Sequence, residues 1–333
     1  MTDHRPGLHP AVAEVRRAVR AALQPLEPGG RILVALSGGP DSLALAAAVA
    51  FEAPKRQLAA VAVTVDHGLQ SGSAEVAATA AAQARALGLD GRVVRVDVGS
   101  AGGPEAAART ARYAALAAAA HDLDAAAILT GHTLDDQAET VLLGLARGSG
   151  AASLQGMAPR SDLDGIPLLR PLLEVRRTTT RAACAAEGLD LWDDPHNLDP
   201  AFARVRARRT VLPVLEDELG PGVAEALART AAQLREDAEA FDEMIDETIE
   251  DIVEHAEAGI SVSAAALAAN PAALRHRIIR HVVASEFHQS LSRTQTLEVA
   301  RLVTDWSGQG PIDLPGCRAR RIGGRIEFAA ADS

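Results

Sequence analysis

Six residues, Ser37-Gly38-Gly39-Pro40-Asp41-Ser42, constrain this chain more than any other stretch of it. They follow the apolar run from Ile32 to Leu36 and precede another from Leu43 to Val49. That order reads as a buried strand, a glycine turn and a helix start. Backbone N–H groups in such a turn, with the positive end of the following helix, make a seat for phosphate. Gly38 and Gly39 let the main chain approach an anion closely, and Ser37 and Ser42 add hydroxyl donors.

A Walker loop would carry Lys just before its terminal Ser or Thr. Here Asp41 holds that position, and Lys55 is the only lysine in the chain. A carboxylate beside a triphosphate is repulsive unless a divalent cation lies between them, so Asp41 reads as a Mg²⁺ ligand. The pattern resembles the PP-loop of N-type ATP pyrophosphatases. That resemblance implies a β,γ-pyrophosphate held as leaving group while AMP passes to an oxygen.

Around this loop the first ~215 residues alternate short apolar strands with helical stretches, the signature of a parallel sheet covered on both faces. Strands are expected at Arg31–Leu36, Leu58–Val65, Arg92–Val98, Ala126–Thr130 and Ile166–Leu169, and helices at Asp41–Phe51, Ala74–Leu87, Pro104–His121 and Leu134–Ala146. Ligands of such sheets bind at the carboxyl ends of strands. Those ends carry Ser37–Ser42, Asp66-His67-Gly68, a glycine-rich turn at Gly99–Gly103, and Gly131-His132. The fold expected is a Rossmann-like α/β domain over residues 1–218, a long acidic linking helix over 219–260, and a small, mostly helical C-terminal module over 261–333. The module closes in a hairpin turning at Gly323-Gly324.

The net charge of −11 argues at first against a nucleic-acid partner. Its distribution removes that objection: Leu219–Ile260 holds 12 Asp/Glu against 2 Arg, a local balance of −10. Local arginine patches decide RNA binding more than the total does. The 2 cysteines, Cys184 and Cys317, form no CxxC pair, so a disulfide framework and a zinc site are not expected. No apolar run approaches the ~20 residues that span a bilayer, and Met1–Gly7 lacks a signal-peptide core. A reducing cytoplasm, no membrane and no stable protein partner are the expectations.

A second constellation lies at 131–140, Gly-His-Thr-Leu-Asp-Asp-Gln-Ala-Glu-Thr. Acids at a helix N-terminus are ordinarily caps and dipole partners. That explains one or two of Asp135, Asp136 and Glu139, but not their gathering with His132 opposite the phosphate turn. A second carboxylate for Mg²⁺ plus a general acid/base is the functional reading.

The motifs SGGPDS (37–42), VDHGLQSGS (65–73), EAAARTARYAAL (105–116), GHTLDDQAET (131–140), ARGSGAASLQGM (146–157), IPLLRPLL (166–173), LWDDPHNLD (191–199) and FARVRARRTVLPVLE (202–216) occur in one order. In that order they resemble the tRNA(Ile)-lysidine synthase family. The resemblance implies ATP and Mg²⁺ as cofactors, and tRNA(Ile) with a CAU anticodon and free L-lysine as substrates. It further implies that the wobble cytidine is adenylated at its carbon-2 oxygen and that lysine then displaces AMP.

By that resemblance Ser37, Gly38, Gly39, Pro40, Asp41, Ser42, Asp66, His67 and Gly131 hold ATP, and Asp41 and Asp136 hold the metal. Arg112 and His132 steady the α-phosphate or developing charge, and Glu139 meets the lysine amine or accepts a proton. Arg204, Arg206, Arg208, Arg209 and Asn197 face the anticodon, with Arg170, Arg176, Arg177 and Arg181 beside them. Two departures, Val205 for a common Asn and His196 for a common Ser, place any role for those side chains in doubt. Three alternatives remain open: a tRNA-thiolating PP-loop enzyme, an amide-forming one, and a non-catalytic tRNA-binding homologue. Two isolated cysteines, the arginine-rich C-terminal half and the retained acids respectively weigh against them.

Overall fold

A computed structural model describes residues 7–68, 72–99, 103–148, 150–192, 194, 198–256 and 259–331. It opens on a helix that the sequence reading did not anticipate, α1 (Pro10–Leu23), whose Val12, Val15, Val19 and Leu23 fall at helical spacing and are buried. Strands and helices then alternate: β1 (Arg31–Ala35), α2 (Pro40–Glu52), β2 (Ala59–Asp66), α3 (Ser73–Ala86), β3 (Asp90–Arg95), α4 (Pro104–Asp122), β4 (Ala125–Leu129) and α5 (Leu134–Ala146). A short α6 (Ala151–Leu154) leads to the hairpin β5 (Arg160–Leu163) and β6 (Ile166–Leu169), then to α7 (Arg177–Ala186).

These strands form one sheet in the order β3-β2-β1-β4-β6-β5. All pairs are parallel except the β5–β6 hairpin. Ile32, Leu33 and Val34 of β1 are fully buried because helices cover both faces. One face packs α1, α2, α3 and α7; the other packs Leu116 and Ala120 of α4 on Leu33, Val61 and Ile128. Alanines at 44, 46, 47 and 48 bring α2 close to the sheet. The strand order reverses at β1, which pairs with β2 on one side and β4 on the other. Such a switch point opens a crevice at the carboxyl ends of the two strands. The phosphate turn follows β1, and the acid-bearing turn follows β4.

After α7 come α8 (Ala203–Arg206), a π-helical turn (Ala207–Val211), α9 (Leu212–Leu219) and α10 (Val223–Ile252). The chain divides into two compact units, up to Arg235 and from Glu236, so the boundary falls inside α10. The acidic segment 219–260 is helical over Val223–Ile252 and then turns into strand.

The second unit holds β7 (Val253–Ala256), β8 (Gly259–Ser263), α11 (Ala264–Ala269), α12 (Ala272–Phe287), α13 (Arg293–Thr304), β9 (Ile312–Leu314), β10 (Cys317–Ile322) and β11 (Arg325–Ala330). The expected hairpin is β10–β11, turning on Gly323 and Gly324 at φ of 55° and 87°. It belongs to an antiparallel sheet ordered β7-β8-β11-β10-β9, to which the short outer strands are additions the sequence did not announce. Phe328, Ile278, Ile279, Val282 and Val283 fill the core between this sheet and the helices.

Candidate active site

Ser42 braces the phosphate turn from within. Its Oγ accepts the Ser37 N–H at 3.1 Å, lies 3.1 Å from Ser37 Oγ and donates to the Gly39 carbonyl at 3.0 Å. Gly38 adopts φ of 82°, which favours glycine, and its carbonyl accepts the Trp192 N–H at 3.2 Å. Among the described residues no side chain caps α2, so the leading N–H groups of that helix stay available to an anion. Gly131 is required by close approach: a Cβ there would lie 2.9 Å from the Asp41 carbonyl oxygen. The two turns of the crevice therefore touch through backbone.

Asp136, the third residue of α5, closes a capping box with Thr133: Asp136 Oδ2 accepts the Thr133 N–H at 2.9 Å and the Thr133 hydroxyl at 2.8 Å. The cap explains why an acid stands there and also aims its other oxygen into the crevice. Glu139 is fully buried on the same side of α5. Arginines meet these acids. Arg177 places Nε 3.3 Å from Asp41, Nη2 2.7 Å from Asp136 and Nη1 3.2 Å from Glu139. Arg208 forks Glu139 at 2.6 and 2.9 Å and reaches Asp136 at 3.2 Å. It projects from the π-helical turn, a distortion that often marks functional sites.

The electrostatics follow from this arrangement. Burial pushes the Asp41 carboxyl up, opposed by Arg177 and by the Thr180 hydroxyl that donates to it. Burial acts the same way on Asp136, but Arg177, the Thr133 backbone, His132 and Arg208 outweigh it and hold that carboxyl below its usual range. The three acids pull the Arg177 guanidinium upward against burial, so it stays charged.

Along the rim, His132 shares a 2.9 Å hydrogen bond with Thr130 Oγ1. Burial, with help from Arg112, Arg170 and Arg109, pushes its pKa down to about 3 against the pull of Asp136. His132 is therefore a neutral imidazole at pH 7. Burial likewise lowers His67, whose Nδ1 has no hydrogen-bond partner among the described residues. Asp66 is held below the usual carboxylate range by Ser73 and the Gly68 N–H. Arg112 stacks on Tyr113 at 5.3 Å, and no ion pair of it occurs among the described residues. Burial and the nearby Arg109 and Arg204 lower its pKa against Tyr113, as expected of a cation short of anions. A cavity of about 160 Å³ lies beyond Glu139, walled by Asp135, Arg176, Arg177, Arg208 and Glu216, with Leu212, Pro213 and Ala224 on its apolar side.

A family profile described as PP-loop domain matches residues 12–215, and one described as TilS substrate binding domain matches 263–326. A tRNA(Ile)-lysidine synthase of Leifsonia xyli subsp. xyli is 61% identical over 306 residues, 91% of each chain. One of Thermobifida fusca is 52% identical over 97% of this chain and 99% of its own. The chain belongs to the tRNA(Ile)-lysidine synthase family. A likeness to the U34-tRNA thiolase NcsA of Methanococcus maripaludis with its [4Fe-4S] cluster, at TM-score 0.58, 19% identity and coverage of 68% and 80%, shows the shared fold.

In this member of the family, the structure brings Ser37–Ser42, Gly131, His132, Asp41, Asp136 and Glu139 into one crevice. The arginines expected to face RNA divide. Arg208 and Arg177 turn onto the acids, and Arg176 pairs with Asp135 and Glu225 at 3.2 and 2.5 Å. Arg204 donates to Thr140 Oγ1 at 3.1 Å, Arg206 to the Pro200 and Ala201 carbonyls, and Arg170 to the Ala158 carbonyl and Ser161. Arg209 is exposed. Asn197 and His196 lie outside the described residues.

Sequence reasoning missed Arg177 as an organiser of the site, and Thr180 and Thr133 as its anchors. One signal was present: acids packed into one helical turn need counter-cations, and a chain with a single lysine must supply arginine. In the second unit, Arg280 is half-buried with no ion pair among the described residues. Burial, Arg277 and Arg293 lower its pKa, and burial with Arg275, Arg280 and Arg293 lowers that of His276.

Among the described residues, no three His, Cys, Asp or Glu side chains are arranged to hold a metal by themselves. A cation here would take most of its ligands from phosphate and water, as Mg²⁺ prefers. Asp41, with hard oxygens only partly occupied by donors, fits that role.

Proposed function

We propose that this chain joins free L-lysine to carbon 2 of the wobble cytidine of a tRNA(Ile) with a CAU anticodon, consuming ATP and releasing AMP and pyrophosphate. The carbon-2 oxygen attacks the α-phosphorus and the bond from that phosphorus to the α,β-bridging oxygen breaks, the bridging oxygen leaving with pyrophosphate and the base left adenylated. The lysine amine then attacks carbon 2, loses a proton and expels AMP. One observation carries the reading: a phosphate-accepting turn and an acid-bearing turn sit side by side at the β1/β4 switch point.

Ser37–Ser42 hold the leaving pyrophosphate through backbone N–H groups and hydroxyls. Asp41 and Asp136 are the metal-facing carboxylates, and the cation supplies charge neutralisation as pyrophosphate departs. Asp66, His67 and Gly131 line the nucleotide side. Arg112, without a carboxylate partner among the described residues, offers its planar fork to the α-phosphate. His132, being neutral, serves as a hydrogen-bonding group and not as a cation. Glu139 takes the lysine amine: its Oε2 accepts one bond and keeps a lone pair, and it borders the 160 Å³ cavity, whose apolar wall suits an aliphatic stem. Arg204, Arg206, Arg209 and Asn197 meet the anticodon arm, with Arg277, Arg280 and Arg293 available to other phosphates of the tRNA. Cys184 and Cys317 are both free and buried, in keeping with a reducing cytoplasm.

Label from lysine should appear on tRNA(Ile) when protein, ATP, Mg²⁺, labelled lysine and the CAU-bearing tRNA are incubated, with matching AMP release. Asp41→Ala should abolish this and leave tRNA affinity within about twofold. Saturating conditions that yield no labelled tRNA would sink the proposal.

A further inference from the structure

Arg177 touches four acids of the site. Its Nε, Nη1 and Nη2 each bind a different carboxylate, Asp41, Glu139 and Asp136, and its backbone N–H donates to a fourth, Asp135, at 2.7 Å. It bridges the two carboxylates assigned above to a metal.

A carboxylate offers about four lone-pair positions. Asp136 has them filled: Oδ2 by the N–H and hydroxyl of Thr133, Oδ1 by Arg177 and Arg208. Asp41 has Thr180 on one oxygen and Arg177 on the other, leaving positions open. While Arg177 stays in place, Asp136 cannot ligate a metal, and two cations would crowd one pair of acids.

The main chain of Arg177 is fixed. It opens α7, and its N–H is held by Asp135 at 2.7 Å. The side chain is the part free to swing. Its departure strands no acid, since Glu139 keeps the Arg208 fork, Asp41 keeps Thr180, and Asp136 loses one donor.

We infer that Arg177 is the resident cation of the nucleotide-free site, and that binding of metal with nucleotide exchanges it, its guanidinium moving from Asp41 and Asp136 to phosphate oxygens. This rests on the nucleotide site proposed above. A metal ion alone offers the displaced guanidinium no anion, whereas a metal–nucleotide complex does. Metal binding thus becomes conditional on nucleotide, and Arg177 is a positioning residue for the reaction.

Mn²⁺ serves as the probe, its free concentration followed by electron paramagnetic resonance with and without an ATP analogue carrying a methylene between the α- and β-phosphates. The wild-type protein should take up Mn²⁺ only with the analogue. Arg177→Gln should bind Mn²⁺ without nucleotide at least tenfold more tightly than wild type does, and Mn²⁺ alone should raise the melting temperature of the variant only. If Arg177→Gln does not fold, Arg177→Lys replaces it; one ammonium cannot span three acids, so nucleotide-free affinity should rise at least threefold. Unchanged nucleotide-free affinity in the variant, or equal Mn²⁺ binding by wild type with and without the analogue, overturns the exchange and leaves the nucleotide site standing. Wild-type protein that takes up no Mn²⁺ even with the analogue overturns both.

Discussion

Gln137 grips the backbone of Met157 from both sides: its Nε2 donates to the Met157 carbonyl at 2.8 Å and its Oε1 accepts the Met157 N–H at 2.7 Å. Two stretches that read as separate motifs are one clamp, tying the acid-bearing helix α5 to the segment after α6. Gly156 is glycine for the same reason, since a Cβ there would lie 2.5 Å from the Gln137 amide oxygen.

Replacing Gln137 by Leu should destabilise the fold by about 1–3 kcal/mol, because the Met157 N–H loses its acceptor. The Met157 carbonyl retains Arg235 at 2.8 Å. Urea denaturation measures the loss. An unchanged midpoint would mean that water satisfies the orphaned N–H.

Gly131→Ala presses a methyl group onto the backbone of Asp41. Overpacking of this kind costs about 1–3 kcal/mol, and the strain lands on the phosphate turn. ATP affinity, measured by isothermal titration, should fall at least tenfold while far-ultraviolet circular dichroism stays unchanged. Native affinity would show that the turn yields freely.

His132 makes the fold acid-sensitive. Its folded pKa of about 3 lies below the ordinary 6.5, so the unfolded chain takes a proton first. Its contribution is complete above pH ~6.5 and is lost as pH falls toward 3, amounting to about 2 kcal/mol by pH 5. His132→Asn should remove that slope, leaving a smaller difference between urea midpoints at pH 7 and pH 5. Identical slopes in the two proteins would refute a buried neutral imidazole.

Arg280→Ala and Arg293→Ala should weaken tRNA binding without touching ATP affinity. Each lost phosphate contact lowers the slope of log affinity against log salt by about 1. Filter binding at several salt concentrations reads this directly. A slope equal to wild type would remove these arginines from the RNA surface.

The parallel sheet was legible because its strands are short apolar runs punctuated by glycine turns, and α5 begins at Leu134 and ends at Ala146 in sequence and structure alike. The helix α1 was missed because the N-terminus was read only for targeting signals; its stripe of Val12, Val15, Val19 and Leu23 was there to find. Strands β7 and β9 are 4 and 3 residues long, too short for a period to show. The phosphate turn and the acids were legible by residue type. The orientation of Arg177 and Arg208 was not, because charge runs ordinarily face water, and their partners stand 38 to 136 residues away in sequence for Arg177 and 69 to 72 for Arg208.

The adjacency of β1 and β4 sets an order of assembly during synthesis. The phosphate turn leaves the ribosome early, yet its neighbour in the crevice, Gly131, follows about ninety residues later. Arg208 comes later still, so a nascent chain stopped before it exposes Glu139 without its fork. Nucleotide can therefore be of no help to the growing chain until both turns have been made, and the arginine fork on Glu139 can form only after that.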